Sequence, residues 1–226
     1  MKAQDAHFDE IAGAYDESIA EHVMAHLTRR RAELVCSLAA GGRVLDVGCG
    51  TGRLLASLPQ EFEPTGADVS QAMLDKAQGQ GVAVVKASGH SLPFADDSFD
   101  VVTTFAVLHH LIEPDRVRAM LKEMARVVKP SGAVVAWDHN PLNPYWRILM
   151  ARVPQDQGDE RLVPARTIVR ALREAGMREI SLQRMTFTPD FVPRRMLATV
   201  AKLERVLERT PGVRLLAAHN VVIARP

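Results

Sequence analysis

The sequence predicts an α/β fold in three layers, a mostly parallel sheet of seven strands covered by helices on both faces. Three observations predict it. Short apolar runs rich in Val and Ile recur along the chain, each of a length suited to a buried strand. Segments with apolar residues three and four apart lie between most of them, and strands alternating with helices imply a parallel sheet. The first apolar run also passes straight into a glycine-rich turn and then a helix. At 226 residues and 47% hydrophobic content, the chain can bury the core of one such domain.

Residues 5 to 38 read as helix, because Phe8, Ile11, Ala12, Tyr15 and Ile19, then Val23, Leu27, Leu34 and Leu38, keep helical spacing. Gly41-Gly42 breaks the pattern. Arg43 to Val47 is a strand, and Leu54 to Leu58 begins a helix after the glycine turn. Pro64 to Asp68 is the second strand; Ser70 caps a helix running to Gln78. Val82 to Lys86 and Phe99 to Phe105 are the third and fourth strands. Pro114 opens a helix that lasts to Val128, proline being suited to a first turn. Lys129 to Gly132 is a turn and Ala133 to Trp137 the fifth strand. Thr167 to Ala175 is a helix stopped by Gly176, and Arg178 to Met185 and Ala217 to Ala224 are the last strands. Two stretches exceed a minimal α/β unit, 139 to 165 and 187 to 216; loops that long usually serve function.

Lys and Arg number 28 against 27 Asp and Glu, so net charge gives no reason to expect a nucleic acid or a membrane surface as partner. Cys36 and Cys49 have neither disulfide-framework nor metal-ligand spacing. No metal is expected. No leader or apolar run of about 20 residues stands out, and the expected setting is the cytoplasm.

The chemistry concentrates in Val44-Leu45-Asp46-Val47-Gly48-Cys49-Gly50-Thr51-Gly52. Glycines without Cβ let the backbone turn tightly and let a ligand approach it. The position three after Gly50 is Arg53, which breaks the dinucleotide spacing. Asp46 would repel a pyrophosphate but suits a ligand with an amino group and no phosphate, as S-adenosylmethionine is. Asp68 ends the second strand, where a carboxylate can take both hydroxyls of a ribose. Its plainer role is to cap the helix that follows.

The order and spacing of these blocks resemble the class I S-adenosylmethionine-dependent methyltransferases, in the small-molecule branch of ubiquinone/menaquinone type (methyltransferase type 11). The matching blocks run from Leu45 to Gly52, Asp68 to Ser70, Leu92 to Asp100, Leu108 to Leu111 and Glu123 to Gly132. His7 to Ala12 with Tyr15-Asp16 is similar to the family's amino-terminal lid. The resemblance implies a Rossmann-like sheet whose last strand is antiparallel. It implies one domain over 1–226, with 1–40 a helical lid, 41–138 the cofactor-binding core, and 139–165 with 187–216 as cap insertions. It also implies roles. Gly48, Gly50 and Gly52 shape the pocket for the methionine part beside Asp46, and Asp68 holds the ribose. Val69 and Met73 pack on the adenine. Ser88 stands where the family usually has a carboxylate for the adenine amino group, with Gly89 and His90 beside it. Phe105 offers its backbone to the methionine end, and Tyr15 closes from the lid.

Methyl transfer is an in-line displacement that needs no metal or covalent intermediate, so alignment supplies much of the rate. A hydroxyl or acidic-carbon acceptor would gain from a base. The candidates at strand ends are Asp138-His139 and the pair His109-His110, of which His139, Asp138 and His110 are the catalytic choices. Each histidine also has a plain structural role. Asn140-Pro141-Leu142-Asn143-Pro144-Tyr145 is similar to the Asn-Pro-Pro-Tyr signature of amino-methylating enzymes, but its proline spacing and position make it a proline-rich loop.

The expected acceptor is a small or lipid-like molecule. Methylation of RNA or protein, and cofactor binding without catalysis, are the alternatives. Acceptor selection is expected in the two long stretches. Tyr145, Trp146 and Met150 are candidates to line an apolar pocket. Met196, Val200, Leu203 and Leu207 share one helical face to pack down, leaving a basic face of Arg194, Arg195, Lys202, Arg205 and Arg209. The plain reading of that face is a solvated helix; the sharper one is a cap that draws in an anionic or amphiphilic acceptor, with peripheral membrane contact through 187–216.

Overall fold

A single sheet collects all seven strands in the order β3-β2-β1-β4-β5-β7-β6. The strands are β1 (Gly42–Val47), β2 (Phe62–Asp68), β3 (Ala83–Lys86), β4 (Phe99–Phe105), β5 (Val128–His139), β6 (Glu179–Met185) and β7 (His219–Arg225). The computed structural model describes residues 2–13, 15, 19–149 and 160–226. β1 to β5 pair in parallel, and β7 runs antiparallel between β5 and β6. The strand order reverses between β1 and β4, and the crevice for a ligand opens at the carboxyl ends of strands on either side of such a reversal.

Eight helices accompany the sheet among the described residues: α1 (Lys2–Ile11), α2 (Glu21–Leu38), α3 (Arg53–Ala56), α4 (Gln71–Gly79), α5 (Pro114–Val127), α6 (Pro144–Leu149), α7 (Ala165–Glu174) and α8 (Leu197–Arg209). α5 shows why these segments fold as they do. Pro114 sits in its first turn, and Val117, Met120, Leu121, Met124 and Val127 all fall on the buried face. Each such side chain, fully buried, contributes about 1.5–3 kcal/mol. α5 and α7 cover one face of the sheet through a core that includes Leu45, Val102, Met124 and Leu172. The second core, on the other face, joins Leu34 and Val35 of α2 to Leu55, Ala77, Val101 and Trp137.

The structure departs from the sequence reading in three places. The helix expected over 5 to 38 is two helices, because Ala12 and Gly13 turn and Ala20 takes an extended ψ of 130° ahead of α2. The turn expected over 129–132 belongs to β5: Val128 pairs with Phe99, and the ladder resumes after an irregularity at Val101 and Ala133. Lys129 holds that stretch in place through Asp100 at 2.8 Å. On α8 the inward face is also rotated from the expected one, for Leu203 and Met196 are exposed while Glu204 is buried. Among the described residues no helix is long and apolar enough to cross a membrane.

Candidate active site

At the carboxyl end of β1 the chain turns through Gly48 and Gly50 with φ of 78° and 52°, left-handed values that glycine adopts without strain. A Cβ at Gly50 would meet nothing within 4 Å, because the residue faces a cavity. Gly52 has a different place: a Cβ there would lie 2.7 Å from the Ala77 Cβ. It lines neither cavity described below. Its role is to let the turn pack closely on α4.

Asp68 braces this turn. One carboxylate oxygen accepts the Gly50 N–H at 2.9 Å and the other the Ser70 N–H at 3.0 Å. The cap of α4 is Ser70, whose Oγ accepts the Met73 N–H at 3.2 Å. The same carboxylate lines the smaller cavity. The Ser70 hydroxyl in turn donates to Asp9 of α1 at 2.5 Å, and the Ala72 N–H donates to the same oxygen at 3.1 Å. The amino-terminal segment is thus moored over the start of α4.

Two cavities open here. The smaller, of about 120 Å³, is lined by Phe8, Asp68, Val69, Met73 and the 88–90 segment. The larger, of about 350 Å³, is lined by Asp46 and Arg31 together with His109, His139, Trp146 and Phe191. They share Tyr15, Gly48, Gly50, Phe105, Ala106 and His110. Ser88 is committed to His90, its hydroxyl lying 2.7 Å from the His90 Nδ1. Burial pushes the His90 imidazole below its ordinary value.

Asp46 is buried and accepts the Thr103 hydroxyl at 2.7 Å. Burial raises its carboxyl from an ordinary 3.8 to about 7, against the pull of Thr103 and Arg31. Arg31 of α2 lies over the Phe105 ring at 5.2 Å, and its Nε is buried without a hydrogen-bond partner. Helical periodicity gave no hint of that guanidinium, since it belongs to a helix whose spacing marks only core positions.

Asp138 and the histidines form one network. The Asp138 carboxylate accepts four N–H groups: Leu108 at 2.6 Å, His109 at 3.3 Å, His139 at 2.6 Å and the His109 Nδ1 at 2.7 Å. Burial pushes this carboxyl up, but the neighbouring His109 and the donors outweigh it and hold it below its ordinary value. His109, Asp138 and His139 offer ligand atoms within 4.8 Å of one another. With two donors already on each oxygen, however, Asp138 serves the imidazoles rather than an ion. Asp138 was a catalytic choice from sequence, yet it lines neither cavity; it orients His109. Nδ1 of His109 faces the Asp138 carboxylate, which fixes the orientation of the ring at the wall of the larger cavity.

His139 lies between rings, stacked on Trp146 at 3.7 Å and on His109 at 4.2 Å. Burial, then its imidazole neighbours, hold it well below the ordinary histidine value. His110 lies edge-on to Phe8 at 5.1 Å, where the two cavities join. Tyr145 and Trp146 reach the larger cavity as expected, the Tyr145 hydroxyl donating to Asp190; Met150 lies outside the described residues.

The whole arrangement has close counterparts. A methyltransferase of Thermotoga maritima superposes with a TM-score of 0.72 at 20% identity, over 98% of this chain and 99% of that one. An S-adenosylmethionine-dependent methyltransferase from Archaeoglobus fulgidus does so at 0.67 and 22% identity, over 89% and 94%. These likenesses concern the fold, and residues 45–136 match the family model described as a methyltransferase domain. The chain belongs to the class I S-adenosylmethionine-dependent methyltransferases. Demethylmenaquinone methyltransferase of Corynebacterium glutamicum is 35% identical over 66% of this chain and 67% of its own length. A tRNA (carboxymethyluridine(34)-5-O)-methyltransferase of Arabidopsis thaliana is 32% identical over 56% of this chain and 33% of its own length. The chain thus spans between a third and two thirds of these relatives.

Proposed function

We propose that the chain transfers a methyl group from S-adenosylmethionine to a small-molecule hydroxyl acceptor held in the larger cavity. The observation that carries this reading is the joining of the two cavities at Gly48, Gly50, Phe105, Ala106, Tyr15 and His110. A cofactor lying along the glycine turn would have its reactive centre at that junction, with an acceptor in line from the other side. The cofactor supplies a methyl on a sulfonium, a leaving group already activated.

The residues present fit it. The open face of Gly50 admits the cofactor backbone, and Asp68 accepts the ribose hydroxyls. Val69 and Met73 flank the adenine. Asp46 and Arg31 together match the ammonium and the carboxylate of an amino acid, and both face the larger cavity. His109, which lines the larger cavity and is oriented by Asp138, is the group placed to take the acceptor's proton as its oxygen attacks. Such a base adds about 10² to 10⁴ in rate.

The test is S-adenosylhomocysteine formation with a panel of phenols, alcohols and amines, with total tRNA as a further arm because of the tRNA-modifying relative. Turnover of a hydroxyl acceptor is expected. His109→Ala should lower kcat by about 10² to 10⁴ and leave cofactor affinity unchanged. Tight cofactor binding without turnover on any arm would make this a binding protein instead.

A further inference from the structure

α8 distributes its charge unevenly. Its acids turn inward: Glu204 is buried against His26 and Arg30 of α2, and Glu208 bonds Arg30 at 3.0 Å. No other acid occurs in residues 191–216, whereas Arg194, Arg195, Lys202, Arg205, Arg209 and Arg214 all do. A chain with 28 basic and 27 acidic residues therefore gathers a positive face here; among the described residues only Arg205 reaches an outside acid, Glu33 at 3.4 Å.

The same face is apolar along its middle. Leu203 and Val206 are 54% and 60% exposed, one turn apart on the side of α8 away from Glu204. At 100° per residue, Lys202 and Arg209 fall beside that stripe, and Arg195 precedes the helix in the 3-10 turn Arg194–Met196. The 3-10 turn Val213–Leu216 packs on α8 and adds exposed Leu215 and Leu216. Phe191, 74% exposed, lines the larger cavity.

We propose that the outer face of α8 seats on a membrane surface of anionic lipid. Its apolar stripe enters the acyl boundary, and its cations meet the headgroups. A polyanionic RNA would use the cations but has no use for a Leu-Val stripe, so the combination favours a bilayer. The inference rests on the surface of α8, not on the proton-transfer chemistry proposed above, and vesicle binding tests it without any turnover.

The experiment is co-sedimentation of the full chain with vesicles of phosphatidylcholine alone or mixed with phosphatidylglycerol. Binding to the mixed vesicles is expected. Replacing Arg195, Lys202 and Arg209 with glutamine should weaken it by about 100-fold. Leu203→Ser with Val206→Ser should weaken it as well, in a protein whose cofactor affinity by calorimetry is unchanged. No binding of the parent protein to mixed vesicles overturns the proposal. So does tRNA binding that the charge variant loses and the Leu203/Val206 variant keeps, which would mark an RNA surface.

Discussion

Replacing Glu204 by glutamine should destabilise the protein by about 3–5 kcal/mol, the cost of breaking a buried ionic network from one side. One Glu204 oxygen accepts His26 Nε2 at 3.1 Å and the Arg30 guanidinium. The other accepts the Phe187 N–H at 2.8 Å, the Thr188 N–H at 2.9 Å and the Thr188 hydroxyl at 2.7 Å. Glutamine preserves the shape but turns an NH₂ group toward one set of these donors. Arg30 keeps Glu208, bound at 3.0 Å, which holds the cost near the lower end. The titration of Glu204 leads to a similar figure. Burial pushes the carboxyl up, but His26, the Phe187 N–H, Thr188 and Arg30 outweigh it and bring it from an ordinary 4.5 to about 2. A carboxyl lowered that far contributes about 3 kcal/mol at neutral pH. Because the folded value is the depressed one, that contribution is complete above 4.5 and disappears as pH falls toward 2. Calorimetry at pH 7 should show Glu204→Gln melting roughly 6–20 °C lower, and the gap from the parent protein should narrow by pH 3. Equal melting at pH 7, or a gap that does not change with pH, refutes the reasoning.

Three further outcomes concern the cofactor. Gly50→Val should abolish S-adenosylmethionine binding in a protein that still folds, since the side chain would fill the cavity from a φ of 52° that a β-branched residue resists; calorimetric binding at the parent affinity contradicts the site. Asp68→Ala should weaken cofactor binding by about 1.5–3 kcal/mol, read by titration, and no loss would leave Asp68 a brace of the glycine turn only. Asp46 must be ionised to receive an ammonium, and its carboxyl stands near about 7. Cofactor affinity should therefore rise by about tenfold between pH 6 and pH 8, and an affinity indifferent to pH over that range would remove Asp46 from the methionine subsite.

Strand and helix order was legible in the chain because buried strands and amphipathic helices leave periodic marks. Val44 to Val47 and the face of α5 from Val117 to Val127 could hardly be read otherwise. The glycine turn was legible for a similar reason, backbone shape being dictated by residue type. What escaped the sequence was decided by partners distant in the chain. The α8 face was misjudged because hydrophobicity alone assigns Leu203 inward and Glu204 outward; His26 and Arg30, 178 and 174 residues away, reverse that. His109 was legible as a candidate, but its place was set by Asp138 arriving 29 residues later from the next strand. Arg31 and His219 left no local mark of their part in the larger cavity, for a single polar residue in a helix or strand has no periodicity to betray it.

The position of β7 has a consequence for how the molecule comes to be made. Among the described residues β6 pairs with β7 alone, and one edge of β5, which ends in Asp138 and His139, is closed only by β7. Until the last strand is synthesised, both edges expose unpaired N–H and C=O groups, the exposure that invites pairing with another chain. Folding cannot finish in the order of translation: a nascent chain can assemble β1 to β5 with their helices, but β6 waits for a partner encoded after it. Pairings across such a span are slow to form, so the late closing of this edge is where premature aggregation would begin. It is also where a chaperone would be of most use.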